Sequence, residues 1–169
     1  SLDRRQRQMC IRDRQYPETF ILWNILAASA AETGMADQAI TALKKVISIK
    51  PDYAEAYDNI GVVFQGQGKL VDAINNYKKS ILLNPSHANP YYNMANILKD
   101  QDKLDEAVEA YKKSIELKPD HYKAYGNMAI TLQKQGKLEE AIEAYKSSIS
   151  LMPNYGETYS NMGLSLIHI

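Results

Sequence analysis

The sequence predicts an all-α protein, an α-solenoid of stacked helix-turn-helix hairpins, and three observations predict it. Prolines recur at Pro17, Pro51, Pro85, Pro119 and Pro153, a strict spacing of 34 residues, and a period of that length marks a repeat array. Within each period the apolar residues follow helical spacing twice. Between the two runs stand the segments TGMA, QGKL, QDKL and QGKL, which read as turns.

In the first run of a repeat, Tyr91, Met94, Ala95 and Leu98 fall at i, i+3, i+4 and i+7, one face of an amphipathic helix. The second run, Leu104, Ala107, Val108, Tyr111 and Ile115, marks another. Whole columns repeat with the period. Trp23, Tyr57, Tyr91, Tyr125 and Tyr159 form an aromatic column, and Leu26, Ile60, Met94, Met128 and Met162 an apolar one. The next column is small: Ala27, Gly61, Ala95, Ala129 and Gly163. Ala39, Ala73, Ala107 and Ala141 recur on the second helix, with Leu43, Tyr77, Tyr111 and Tyr145 four residues later. Small residues let helix backbones approach, large rings fill the space left, and one hairpin hides both its faces only when a neighbour covers it.

Gly34, Gly68 and Gly136 supply the left-handed residue that ends a first helix, and Asp102 stands in for glycine in the third repeat. After each second helix comes proline and then Asp52, Ser86, Asp120 or Asn154, which read as N-caps of the next helix. Asp52 with Glu55, and Asn154 with Glu157, have capping-box spacing. Pro90 falls in a first turn, where its missing N–H costs little.

These columns resemble the tetratricopeptide repeat (TPR) signature W-x2-L-G-x2-Y, then Ala, an aromatic and Pro. Here it reads YDNIGVVF from Tyr57 to Phe64, then Ala73, Tyr77 and Pro85. The first repeat departs most, with Ala30 and Leu43 replacing aromatics. The resemblance covers residues 15–163 as repeats 20–53, 54–87, 88–121 and 122–155, with the first helix of a fifth from 156. It implies a right-handed superhelix whose first helices line a concave groove.

The ends do not continue the pattern. All five arginines (Arg4, Arg5, Arg7, Arg12 and Arg14) and the single cysteine, Cys10, lie in the first fourteen residues, and every later cation except histidine is lysine. Extending the period backwards puts Arg5, Met9 and Arg12 where Ala, Tyr and Ser recur. MCIRD and the start of an arginine codon can be written ATG TGT ATA AGA GAC AG. With AG in front, the reverse complement of that string translates as LSLIHI, the terminal six residues. The string resembles a transposase adaptor used in preparing sequencing libraries, so residues 1–14 and 164–169 are expected to be non-native, adaptor-derived segments. The alternative is a basic arm for nucleic acid or membrane. On the adaptor reading the body is mildly acidic, both ends are truncations, and a further domain is possible outside the fragment.

The composition narrows the functional classes. The formal net charge is zero, and the longest apolar run, about Phe20 to Ala31, is broken by Asn24 and too short for a bilayer, so neither nucleic acid nor membrane is an expected partner. A lone cysteine excludes an internal disulfide and leaves the compartment open, the cytoplasm being favoured. GQGK at Gly66–Lys69 lacks the Ser or Thr and the earlier Gly of a phosphate loop, and reads as the inter-helix turn. His87 and His121 share a column with Tyr53 and Tyr155, which suggests rings packed between repeats rather than metal ligands; His168 belongs to the tail. No nucleophile has a base at suggestive spacing. No catalytic residue, metal site or cofactor is expected, and the fragment is not expected to be an enzyme.

One polar column lies on the first helices: Asn59, Asn93, Asn127 and Asn161. An amide offers one acceptor and two donors, matching the C=O and N–H of a peptide backbone. The column resembles the asparagine ladder of O-GlcNAc transferase-like TPR regions, which implies that these four residues bind an extended protein or peptide segment. Tyr92, Asn96, Lys99 and Lys123 are added as lining candidates. The other role open to such amides is bonding to a neighbouring repeat or to water. A carboxylate clamp for chaperone tails is not expected, because Asp58, Gly126 and Asn127 occupy its positions. The function expected is a non-catalytic protein–protein interaction module. The alternative is the substrate-recruiting region of a larger glycosyltransferase or sulfotransferase, with its catalytic domain outside the fragment.

Overall fold

The computed structural model describes residues 17–154 and 156–167. The arginine-rich start with Cys10, Tyr155 and His168, and the side chain of Glu157, lie outside the described residues. Among the described residues every regular element is an α-helix: α1 (Pro17–Glu32), α2 (Ala36–Ile49), α3 (Ala54–Gly66), α4 (Leu70–Leu83), α5 (Ala88–Asp100), α6 (Leu104–Leu117), α7 (Tyr122–Lys134), α8 (Leu138–Leu151) and α9 (Gly156–Ile167). Odd-numbered helices are the first of each hairpin and even-numbered ones the second. From α3 onward each first helix starts 34 residues after the last, the period of the prolines.

The turn inside each hairpin is closed the same way four times. Gly34, Gly68 and Gly136 take φ of 74°, 73° and 76°, and Asp102 takes 61° in the same place. In the second hairpin the N–H of Lys69 donates to Phe64 O at 2.9 Å and that of Gly68 to Gln65 O at 2.9 Å. The same two bonds recur from Met35 and Gly34, from Lys103 and Asp102, and from Lys137 and Gly136. This pair of bonds is a Schellman motif: it satisfies carbonyls at the helix end and requires one left-handed residue.

The joints between hairpins differ from expectation. The residues at the N-cap positions of α3, α5 and α7 are Tyr53, His87 and His121, with no side-chain cap bond, so Asp52, Ser86 and Asp120 are not the caps. The capping box of Asp52 and Glu55 is likewise not formed, and Asn154 stands two residues ahead of α9. Pro51, Pro85 and Pro119 instead sit second in four-residue turns. These are closed by the N–H of Tyr53 to Lys50 O (3.2 Å), His87 to Asn84 O (3.1 Å) and His121 to Lys118 O (3.0 Å). Proline suits that second position, and the polar residue after it completes the turn. The ring that follows is drawn into packing: Tyr53 meets Phe20 edge-on at 5.1 Å, and His121 lies 4.7 Å from Tyr92.

The chain divides into two compact units, one ending at Leu83 and one starting at Asn84. In the first, Ala27, Ala42, Leu43, Val46, Ala56 and Ile60 form the core, with Trp23 and Phe64 against it. In the second, two clusters follow one another, one around Ala95, Ala107, Tyr111 and Ala124 and one around Ala129, Ala141 and Tyr145. Ala39, Ala73, Ala107 and Ala141 are all completely buried, as the small-residue column requires. Gly61, in the small-residue column of the first helices, makes a close contact of the same kind. A Cβ there would lie 2.5 Å from Cε1 of Tyr77, whose ring is itself wholly buried.

Gly61→Ala is therefore expected to destabilise the first unit by about 1–3 kcal/mol, the usual cost of overpacking, read as a lower thermal midpoint. Asp102→Gly should act in the opposite direction, by about 0.5–1 kcal/mol, because glycine meets no Cβ penalty at positive φ. Chemical denaturation that finds Asp102→Gly less stable than the parent would refute this account of the turn.

Candidate functional site

The candidate residues lie on first helices. Asn59 is on α3 in the first unit and is exposed; Asn93, Asn127 and Asn161 are on α5, α7 and α9 in the second and are half-buried. Tyr92, Asn96 and Lys99 are half-buried on α5, and Lys123 is exposed near the start of α7.

The arrangement starts from the buried tyrosines of the second helices. Tyr77, Tyr111 and Tyr145 are fully buried, so each hydroxyl needs a partner inside the protein. Tyr77 donates to Gln65 Oε1 at 2.7 Å and Tyr145 to Gln133 Oε1 at 3.0 Å. In the repeat between them Lys99 occupies the glutamine's column, and an ammonium can only donate. Tyr111 turns instead to Asn96 Oδ1, 2.6 Å away. The Lys99 ammonium lies 3.7 Å from Asp100 Oδ1.

That change of partner draws in the neighbouring first helix. Asn127 on α7 donates from Nδ2 both to Asn96 Oδ1 at 2.8 Å and to the Tyr92 hydroxyl at 3.1 Å. Tyr92, Asn96 and Asn127, all candidates from the sequence, thus form one hydrogen-bonded group with Tyr111. Both N–H donors of Asn127 are spent within it. Asn93 and Asn161 are also engaged by neighbours. Lys123 stands apart from the group, its ammonium 6.0 Å from the ring of Tyr122. Sequence reading missed the role of Gln65, Lys99 and Gln133, although the signal was present as a lysine standing between two glutamines one repeat to either side.

Electrostatics keep the buried phenols of Tyr77 and Tyr111 in one protonation state. Burial pushes the pKa of Tyr77 up, aided by the negative charge of Asp58. Burial does the same to Tyr111, with smaller contributions from Tyr92 and Asp100 and some relief from Asn127. Both phenols therefore remain donors throughout the ordinary pH range. His121, against Tyr92 and 3.0 Å from the buried Ser114 hydroxyl, has its pKa lowered, first by burial and then by the positive charge of Lys118. Among the described residues no three His, Cys, Asp or Glu side chains cluster as a metal site would need, and no helix is long and apolar enough to cross a membrane.

Comparison with known proteins agrees with this architecture. A tetratricopeptide repeat model matches residues 86–154, and a TPR repeat model matches 31–68 and 66–102. No curated protein matches the sequence. Among solved structures, a MamA protein is 28% identical over 88% of this chain and 81% of its own, with a TM-score of 0.75. YrrB, described as a TPR protein with an unusual peptide-binding site, is 16% identical, with a TM-score of 0.72 over 95% of this chain and 82% of its own. A Thermobaculum terrenum O-GlcNAc transferase is 20% identical with a TM-score of 0.71, over 79% of this chain and 26% of the enzyme. At such identities the last two show the fold alone.

Because the fold lowers the pKa of His121, the unfolded chain binds more protons once pH drops toward the ordinary imidazole value near 6.5. The stability contributed by the neutral ring is present above that value and is lost as pH falls below it. NMR titration should find the His121 pKa under 6.5. His121→Tyr, which copies Tyr53 in the same column, should make the fall in urea midpoint between pH 7.5 and 5 shallower. An unchanged slope would remove His121 from the account.

Proposed function

Since the chain belongs to the tetratricopeptide repeat family, we propose that it is a non-catalytic interaction module holding an extended segment of another protein along its first helices. The observation that carries this reading is the recurrence of one asparagine per first helix at Asn93, Asn127 and Asn161 in the second unit, with Asn127 fixed in orientation by Tyr92 and Asn96. A side chain already held pays less entropy on binding. Packed helices stand about 8–10 Å apart and an extended chain advances roughly 3.3 Å per residue, so successive amides meet a bound segment about every third residue. Asn59 holds the same position of the repeat in the first unit.

The bonding of Asn127 supports a particular part for that amide. Asn127 offers its carbonyl oxygen to a backbone N–H of the bound segment and no donor. Contacts made to backbone leave the identity of the ligand's side chains weakly read. Tyr92, Asn96, Lys99 and Lys123 add side-chain contacts beside the column, with the two lysines favouring carboxylates on the ligand. The peptide-binding site of YrrB, a protein of the same fold, supports the class of ligand.

Titration of the chain with a panel of unstructured peptides should find binders whose affinity falls about tenfold or more in Asn93→Ala plus Asn127→Ala. Circular dichroism should show the helices retained, with a stability loss of about 1–2 kcal/mol from the severed bonds of Asn127. Equal affinity of parent and double variant for every peptide would rule out the asparagine column as the binding element.

A further inference from the structure

The repeats provide their own control for what an outward helix face normally carries, and α4 departs from it. Val71, Asn75, Lys78 and Leu82 fall at steps of four, three and four residues, a single stripe along the helix. Val71 is 72% exposed and Leu82 73%. In Val71's column the sister helices carry Asp37, Asp105 and Glu139, and in Leu82's they carry Ser48, Glu116 and Ser150. Only α4 replaces both by large apolar residues.

The lysines of the stripe differ as well. In the second unit, Lys112 pairs with Glu109 at 3.0 Å, Lys113 with Glu116 at 2.9 Å and Lys146 with Glu143 at 2.7 Å. On α4 the corresponding carboxylate positions hold Asn75 and Leu82, so no acid stands three or four residues from Lys78 or Lys79. The face of α4 is therefore apolar at its ends and basic in its middle.

A surface of the opposite character exists in the second unit. A cleft of about 420 Å³ runs between α7 and α8, floored by Tyr125, Met128, Leu132 and Ala144. Glu139, Glu140 and Glu143 form its rim, with Lys112, already tied to Glu109, on the far side. Ser147 also lines it, where the sister helices have Lys45, Lys79 and Lys113. The lysine that would cover this apolar floor and offset the carboxylates is missing from this repeat alone.

We propose that copies of this chain associate head to tail, the outward stripe of α4 on one copy seating in the α7–α8 cleft of the next. Leu82 and Val71 meet the apolar floor, while Lys78 and Lys79 meet the glutamate rim. Because the two patches differ, the contact is heterologous and is not limited to two copies. No asparagine of the column lines the cleft, and the contact does not depend on the proposed function.

Sedimentation velocity of the full chain from micromolar to millimolar concentration tests the proposal. Average mass should rise with concentration, and the rise should weaken at high salt, since the pairing charges are exposed. Val71→Asp with Leu82→Glu gives α4 the residues α6 already carries in those columns, so folding should survive while association weakens roughly tenfold or more. Lys78→Glu with Lys79→Glu, and separately Glu139→Lys with Glu140→Lys, should each leave monomers. Mixing these two charge-reversed chains should restore association, because each then presents the complement of the other. A monomer at every concentration overturns the proposal. So does parental association in Val71→Asp/Leu82→Glu, which would place the contact elsewhere, or failure of the mixed chains to recover it.

Discussion

A phenol with no water to turn to governs this structure. Tyr77, Tyr111 and Tyr145 fill the space left by the small residues of the hairpins, and all three are completely buried. Leaving such a hydroxyl without a partner costs about 1–3 kcal/mol, so each first helix has to present an acceptor at the right height. Gln65 and Gln133 do so directly. Where Lys99 takes that place, the acceptor becomes Asn96, and Asn96 in turn receives Asn127 from the next first helix. A requirement of the core thus reaches the surface and decides how one amide of the proposed binding column is oriented and which of its atoms remain for a ligand.

The hairpins themselves are set by backbone geometry with little help from side chains. Four Schellman turns end the first helices, three of them on glycine and one on Asp102. Three proline turns join the described hairpins, with rings from Tyr53 and His121 packed into the joints. Both kinds of turn are closed by backbone bonds within their own loops. On its outward face α4 differs from its sisters: Val71 and Leu82 are largely exposed where the others carry polar residues, and in the fourth repeat Ser147 stands where the others carry lysine.

Much of this was legible before any coordinates. The 34-residue period, the two helices within it, the small-residue columns and the left-handed turn positions all follow from residue type and spacing, and each takes its expected place. The helix caps were misread, because Asp52, Ser86 and Asp120 satisfy the spacing rule for a cap while a proline turn places the following ring there. Spacing rules are local, and the competing pull on that ring comes from a residue about thirty positions earlier, Phe20 in the case of Tyr53 and Tyr92 in the case of His121. The asparagine column was visible as a column, with bonding to a neighbouring repeat as one of the two roles open to it, and Asn127 makes such bonds; which atoms it would spend on them was not legible.

Sequence alone determined the repeat, the helices and the residues that must be small, since these depend on periodicities of 34 and about 3.6 residues that a chain displays openly. Tertiary structure decided which polar side chain answers each buried hydroxyl, which ring closes each joint and which outward faces form a cleft. Those outcomes depend on distances between residues on different helices, and a substitution such as Lys99 for glutamine changes them by a choice among partners that no spacing encodes.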